Sequence, residues 1–141
     1  MGCDFLVASE KAVFADTHVR VGVLPGGGLT ARLVGPAWAR RMSMTGEVVD
    51  AALAARIGLV TEVVPHERLR AHALALASAA AEVSPRDMVA LKEVCTRGAE
   101  AIFGAALTVE QELAGAHRPD FTGLDERRAA VTARNRNQLK G

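Results

Sequence analysis

Pro25-Gly26-Gly27-Gly28 sits in the first fifth of the chain, and it constrains the fold more than any other stretch. Three successive glycines lack the Cβ atoms that keep backbone N–H groups away from a ligand. The run also separates two kinds of sequence. Before it lies the apolar stretch Val19-Arg20-Val21-Gly22-Val23-Leu24; after it, Leu29 to Val34 reads as helix. The bend is therefore expected to present a helix N-terminus, a place that favours anions and carbonyl oxygens. A titratable cluster, Asp16-Thr17-His18, lies a few residues upstream, and such a group near exposed backbone donors is a reaction-site pattern.

Around this joint the chain alternates short apolar runs with helical segments. Cys3 to Ala8, Ala12 to Ala15 and Val19 to Val23 read as strands, the third irregular. Gly35-Pro36 breaks the helix begun at Leu29, and Pro36 opens the next, Ala37 to Met44. Asp50 is placed to cap a helix that reaches about Ile57, with Gly58 at its C-terminal end. Leu59 to Val64 reads as a strand closed by Pro65. Beyond Pro65 the character changes to alanine-rich helix. Glu67 to Val83 carries Leu69, Ala73, Leu76 and Ala80 at helical spacing. Ser84-Pro85 starts another helix with a stripe of Met88, Leu91 and Cys95. Glu100 to Ala116 reads as a separate helix broken by Pro119. Thr122 to Arg136 reads as the last, opened by Thr122 or Asp125. Strands come first and helices follow, so an α/β core over residues 1–65 and a helical region over 66–141 are expected.

Composition excludes several function classes. The 17 basic and 16 acidic residues leave a net charge of +1, which gives no electrostatic case for nucleic acid or an anionic membrane. Aromatic residues make up 4%, too few for a base-stacking platform. No apolar run approaches the roughly 20 residues of a membrane span. The N-terminus, with Asp4 and no basic segment, makes a poor signal peptide, and Leu6 stands where myristoylation wants Ser or Thr. Cys3 and Cys95 are far apart and lack metal-ligand spacing, so a reduced, cytoplasmic protein is the simplest expectation. His66, His72 and His117 form no ligand pattern either, and no metal site is expected.

Three ordered motifs carry a family resemblance. Cys3-Asp4 leads into Val7-Ala8-Ser9-Glu10; Phe14 precedes the polar cluster and Gly22-Val23-Leu24-Pro25-Gly26-Gly27-Gly28; then come Thr45-Gly46-Glu47, Asp50-Ala51, Ala54, Gly58-Leu59-Val60 and Val63-Val64-Pro65. In this order the motifs resemble the enoyl-CoA hydratase/isomerase family, the crotonases. The match is strong from Cys3 to Pro65 and weaker through the helical remainder. The resemblance implies the end of a crotonase-like ββα spiral core followed by a C-terminal helical region that packs on neighbouring subunits. It also implies an acyl-CoA thioester substrate, no separate cofactor because CoA is part of the substrate, and a homo-oligomer, a trimer or dimer of trimers.

Crotonase chemistry holds a thioester carbonyl in a backbone oxyanion hole and moves protons with one or two glutamates. The family's Gly-Gly-Gly-x-Glu segment belongs upstream of the equivalent of Cys3-Asp4 and is absent from this sequence. The 141-residue chain is accordingly expected to show little or no hydratase activity by itself. The second glutamate is expected in a Pro-Glu pair just before Val19, where this sequence has Thr17-His18. The resemblance thus assigns His18 to acid–base catalysis and Gly26 to substrate binding; Thr17, beside His18, is the other substrate-binding candidate, able to hold a water or to cap a turn. Histidine suits proton transfer near neutrality. The plainer reading, that His18 packs at a pocket wall, stands beside the catalytic one.

Asp16, the nearest carboxylate and a candidate substitute for the missing glutamate, reads first as a solvated or turn residue facing away from Thr17, and Cys95 as a buried filler; Arg40-Arg41 and Arg127-Arg128 read first as solvated surface, with CoA phosphates or partner carboxylates as the alternative. The terminal Arg134, Arg136 and Lys140 are candidates for CoA phosphates by resemblance. Hydration of a 2-enoyl thioester is the first functional reading. A non-catalytic assembly partner is the second, and thioester isomerase, hydrolase or decarboxylase chemistry the third.

Overall fold

A computed structural model describes residues 3–24 and 29–139. Its strands are short. β1 (Val7–Ser9) pairs in parallel with β4 (Glu62–Val64), in the register Val7–Glu62, Ala8–Val63 and Ser9–Val64. β2 (Val13–Phe14) pairs antiparallel with β3 (Val49–Asp50), setting Val13 against Asp50 and Phe14 against Val49. The run from Val19 to Val23, expected as a third strand, instead holds a 3₁₀ turn over His18–Val21. β-branched valines favour strand, but local hydrogen bonds prevail here. Arg20 N–H donates to the Thr17 carbonyl, Val23 N–H donates to the His18 carbonyl, and Gly22 closes the turn.

Helix α1 (Leu29–Thr45) contains the break that Gly35-Pro36 predicts. Gly35 lies at φ 73°, outside helical space, and the two halves of α1 meet there at a kink. Helix α2 (Ala51–Arg56) begins as expected, with the Asp50 carboxylate accepting from the Leu53 N–H at 2.6 Å. It ends on Gly58 at φ 80°, where Leu59 N–H reaches back to the Ala54 carbonyl at 2.8 Å. A side chain at Gly58 would also crowd the Leu33 carbonyl, since a Cβ there would stand 3.3 Å from it.

A second 3₁₀ turn (His66–Arg68) leads into α3 (Leu69–Ala81), which packs on β1. Ser84 caps α4 (Pro85–Ala116) by accepting from Asp87 N–H while its hydroxyl donates to the Asp87 carboxylate. The break expected near Glu100 does not occur, and α4 runs on for 32 residues. Gly98 weakens the helix by about 1 kcal/mol relative to alanine but does not interrupt it, and no described residue of α4 is buried. Cys95, expected as a core filler, is exposed with the rest of it. Helix α5 (Leu124–Gln138) is preceded by Gly123 at φ 66°, so neither Thr122 nor Asp125 caps it.

The core lies where the two short sheets meet α1 and α2. Ala8, Met42, Val49, Ala54, Leu59 and Val60 are buried together, and Leu6, Phe14, Leu33, Leu53, Ile57 and Val63 pack around them. This arrangement puts the end of α1 beside the first 3₁₀ turn, which is what positions the site. Met42 is 1% exposed and Met44, two residues on, is 72% exposed. Met42→Ala is expected to cost about 2–5 kcal/mol in urea unfolding. Met44→Ala should stay within about 0.5 kcal/mol. Equal losses at the two positions would contradict this core.

Candidate active site

The site grows out of the first 3₁₀ turn. Asp16 starts it as an Asx turn, its Oδ1 accepting the His18 N–H at 3.3 Å. The same oxygen lies 2.7 Å from His18 Nδ1. A carboxylate can only accept, so Nδ1 carries a proton, and in the neutral ring the lone pair is on Nε2. The other carboxylate oxygen, Oδ2, accepts from the Ser43 hydroxyl on α1 at 2.6 Å. Asp16 is therefore not a solvated residue turned away from its neighbours. Its side chain is 11% exposed, while the His18 ring is 57% exposed. The turn supplies the reason: alternation of side chains holds in extended chain, and this segment is coiled.

Burial pushes the Asp16 carboxyl up, but the hydrogen bonds from Ser43 and His18 and the positive charge His18 can carry outweigh it. The group is held below its ordinary value of 3.8. The result is a carboxylate that stays ionised and fixes both the tautomer and the plane of an exposed imidazole.

Thr17 and His18 together form one wall of an open cleft of about 440 Å³, with Val21 at its back. Helix α5 forms the facing wall through Arg128, Val131 and Thr132. Several bonds keep the walls in place. Arg20 donates from Nε and Nη2 to the Thr45 carbonyl at 3.0 and 2.6 Å. Arg134 of α5 donates from Nη1 to the carbonyls of Thr45 and Gly46 at 2.9 and 3.1 Å. Gln138 accepts the Val48 N–H, and His117 Nε2 donates to the Gly22 carbonyl at 3.0 Å. Arg127 spends its guanidinium on the carbonyls of Thr122 and Asp120.

Of the three residues singled out from the sequence, the structure brings Thr17 and His18 together at the cleft, and Gly26 lies outside the described residues. Ser43 has no signal in the sequence, because nothing along the chain links it to Asp16, 27 residues away. Asp16 and Arg128 are weighed from the sequence, but extended geometry turns Asp16 from its neighbours, and the distance of Arg128 along the chain hides its place opposite His18. The remaining histidines are engaged elsewhere. His66 Nδ1 shares a hydrogen bond with the Ser9 hydroxyl at 3.0 Å, and His72 Nε2 bonds the Glu62 carboxylate. Among the described residues no group of three or more His, Cys, Asp or Glu side chains is placed to hold a metal ion.

Fold and site together define an α/β protein with a carboxylate-oriented histidine at the mouth of a cleft. Comparison places it more closely: the family model "Enoyl-CoA hydratase/isomerase" matches residues 1–121, and the chain belongs to that family. The crystal structure of an enoyl-CoA hydratase from Mycobacterium avium superposes with a TM-score of 0.77 at 45% identity, over 83% of this chain and 54% of that one. The fold is thus the crotonase fold. A probable enoyl-CoA hydratase of Rhizobium meliloti (strain 1021) is 40% identical over 116 residues, covering 80% of this chain and 45% of the relative. A short-chain-enoyl-CoA hydratase of Clostridioides difficile is 34% identical over 137 residues, 95% of this chain and 86% of the relative. The chain spans about half the length of the Rhizobium and Mycobacterium proteins.

The Asp16 carboxylate makes a local prediction. Because its folded value is depressed, its contribution to stability is in place above 3.8 and is lost as pH falls through the folded value. Ser43→Ala removes one bond to the charged form while leaving the burial. The Asp16 titration, followed by carboxyl ¹³C resonance, should move to higher pH, and the acid-dependent part of stability should shrink. An Asp16 midpoint unmoved by Ser43→Ala would show that this hydrogen bond does not operate in solution.

Proposed function

We propose that this protein takes part in hydration of 2-enoyl-CoA thioesters, with His18 as the proton-transfer group. The observation that carries this reading is the Asp16–His18 pair, with Nδ1 protonated and held at 2.7 Å and the ring lining the cleft. In this reaction water adds across a carbon–carbon double bond. The water oxygen bonds the β-carbon as Nε2 takes the water proton. The π electrons shift toward the thioester carbonyl, and the imidazolium then returns the proton to the α-carbon. Asp16 stabilises the transient imidazolium and prevents the ring from rotating. Thr17 borders the cleft and contacts substrate; the family motif makes Gly26 the other substrate-binding residue. CoA is part of the substrate, and no further cofactor is required.

The family match and the hydratase relatives support this substrate class. In the same reading, residues 1–65 form the catalytic α/β part and residues 66–141 pack against further copies in a cytoplasmic homo-oligomer. No helix among the described residues is long and apolar enough to cross a membrane. A second reading, a non-catalytic partner that docks on crotonase-type subunits, draws on α4. Val89, Val94, Ile102, Val109 and Leu113 lie exposed along it.

The two readings separate in the protein purified from its native cells. General acid–base groups contribute about 10²- to 10⁴-fold, so His18→Ala should lower the rate of crotonyl-CoA hydration by about that factor. Asp16→Asn should lower it less, because the imidazole remains. A hydration rate unchanged by His18→Ala would remove His18 from the chemistry, whereas stable association with crotonase-type subunits without CoA binding would favour the assembly reading.

A further inference from the structure

The cleft that His18 lines also contains a cation with no role in the hydration just described. Arg20, Arg127 and Arg134 spend their guanidinium groups on backbone carbonyls, and Arg41 pairs with Glu47 at 2.6 Å. Arg128 differs. Its carbonyl accepts the Thr132 hydroxyl at 2.9 Å, but its guanidinium meets no carboxylate or carbonyl among the described residues. Nor does Asp16 hold it: the ion pair of that carboxylate among the described residues is with His18, and its other oxygen accepts from Ser43.

The cleft combines three kinds of surface. His18 presents a lone pair, Val21 and Val131 offer apolar surface, and Arg128 offers a planar fork of N–H donors suited to a carboxylate. The Thr17 hydroxyl proton is committed to no described partner and can donate alongside Arg128, whereas the Thr132 proton is already used on the backbone. We propose that Arg128, with Thr17, binds a carboxylate at the far end of the acyl chain, making carboxylated acyl thioesters the preferred substrate class.

This rests on the acyl-CoA reading above, and that reading sets the distance. If Nε2 serves the α- and β-carbons, the CoA phosphates lie beyond the whole pantetheine arm, and a cation in the same cleft as His18 meets the acyl end instead. A neutral acyl chain would leave the guanidinium solvated and gain nothing from it.

Calorimetric titration of the purified protein with adipoyl-CoA, hexanoyl-CoA and free CoA tests the assignment, since the two thioesters have acyl chains of equal carbon number and differ in the terminal carboxylate. Adipoyl-CoA should bind about tenfold more tightly than hexanoyl-CoA, the size of one charge-assisted pair at a half-open site. Arg128→Gln should abolish that difference and leave hexanoyl-CoA affinity unchanged; Arg128→Lys should retain part of it. Equal affinities for the two thioesters in the unaltered protein would overturn the subsite while leaving the acyl-CoA reading intact. Arg128→Gln weakening adipoyl-CoA, hexanoyl-CoA and free CoA alike would assign the guanidinium to a CoA phosphate and overturn it too. Binding of neither thioester would overturn both readings.

Discussion

One carboxylate ties the local structure to the candidate chemistry. Asp16 starts the 3₁₀ turn through the His18 amide, joins that turn to α1 through Ser43, and orients the His18 ring. An ionised group with this little exposure is costly unless its oxygens are satisfied. Here they are satisfied by donors from two different elements. The bond that anchors the turn is thus the bond that sets the imidazole tautomer, and the turn cannot move on α1 without disturbing the histidine.

The features legible in the sequence were those whose cause is local. Asp50 caps α2 because its side chain reaches an amide three residues on, and Ser84-Pro85 opens α4 for the same kind of reason. Gly35-Pro36 marks the kink in α1 because a proline and a positive-φ glycine each act on their own backbone. Where several weak preferences compete, the outcome escaped. Val19, Val21 and Val23 favour strand by side-chain type, yet the Asx turn at Asp16 and the left-handed Gly22 make a coil of them. Gly98 looks like a boundary but only weakens α4, which runs on through it.

The candidate site divides in the same manner. His18 and Thr17 were found through an ordered motif, and the motif carries information about position along the chain only. Ser43 and Arg128 enter through space. Ser43 arrives because α1 ends beside the turn, and Arg128 because α5 packs on the turn and is tied by Arg134 to the end of α1. No spacing rule links these residues to His18, so their contribution becomes visible only with the fold.

The bonds that hold α5 in place have a consequence for how the sequence can drift. Arg20 and Arg134 converge on the carbonyl of Thr45, and His117 holds that of Gly22. In each case the acceptor belongs to the main chain. A salt bridge between two side chains can be lost by substitution at either end, but a carbonyl is present whatever residue occupies the position. Mutational risk in these bonds therefore falls on the donors alone, unlike the bond in which the Gln138 side chain accepts from Val48. Thr45 and Gly22 are free of any demand from these bonds on their side chains, provided that their backbone keeps its course.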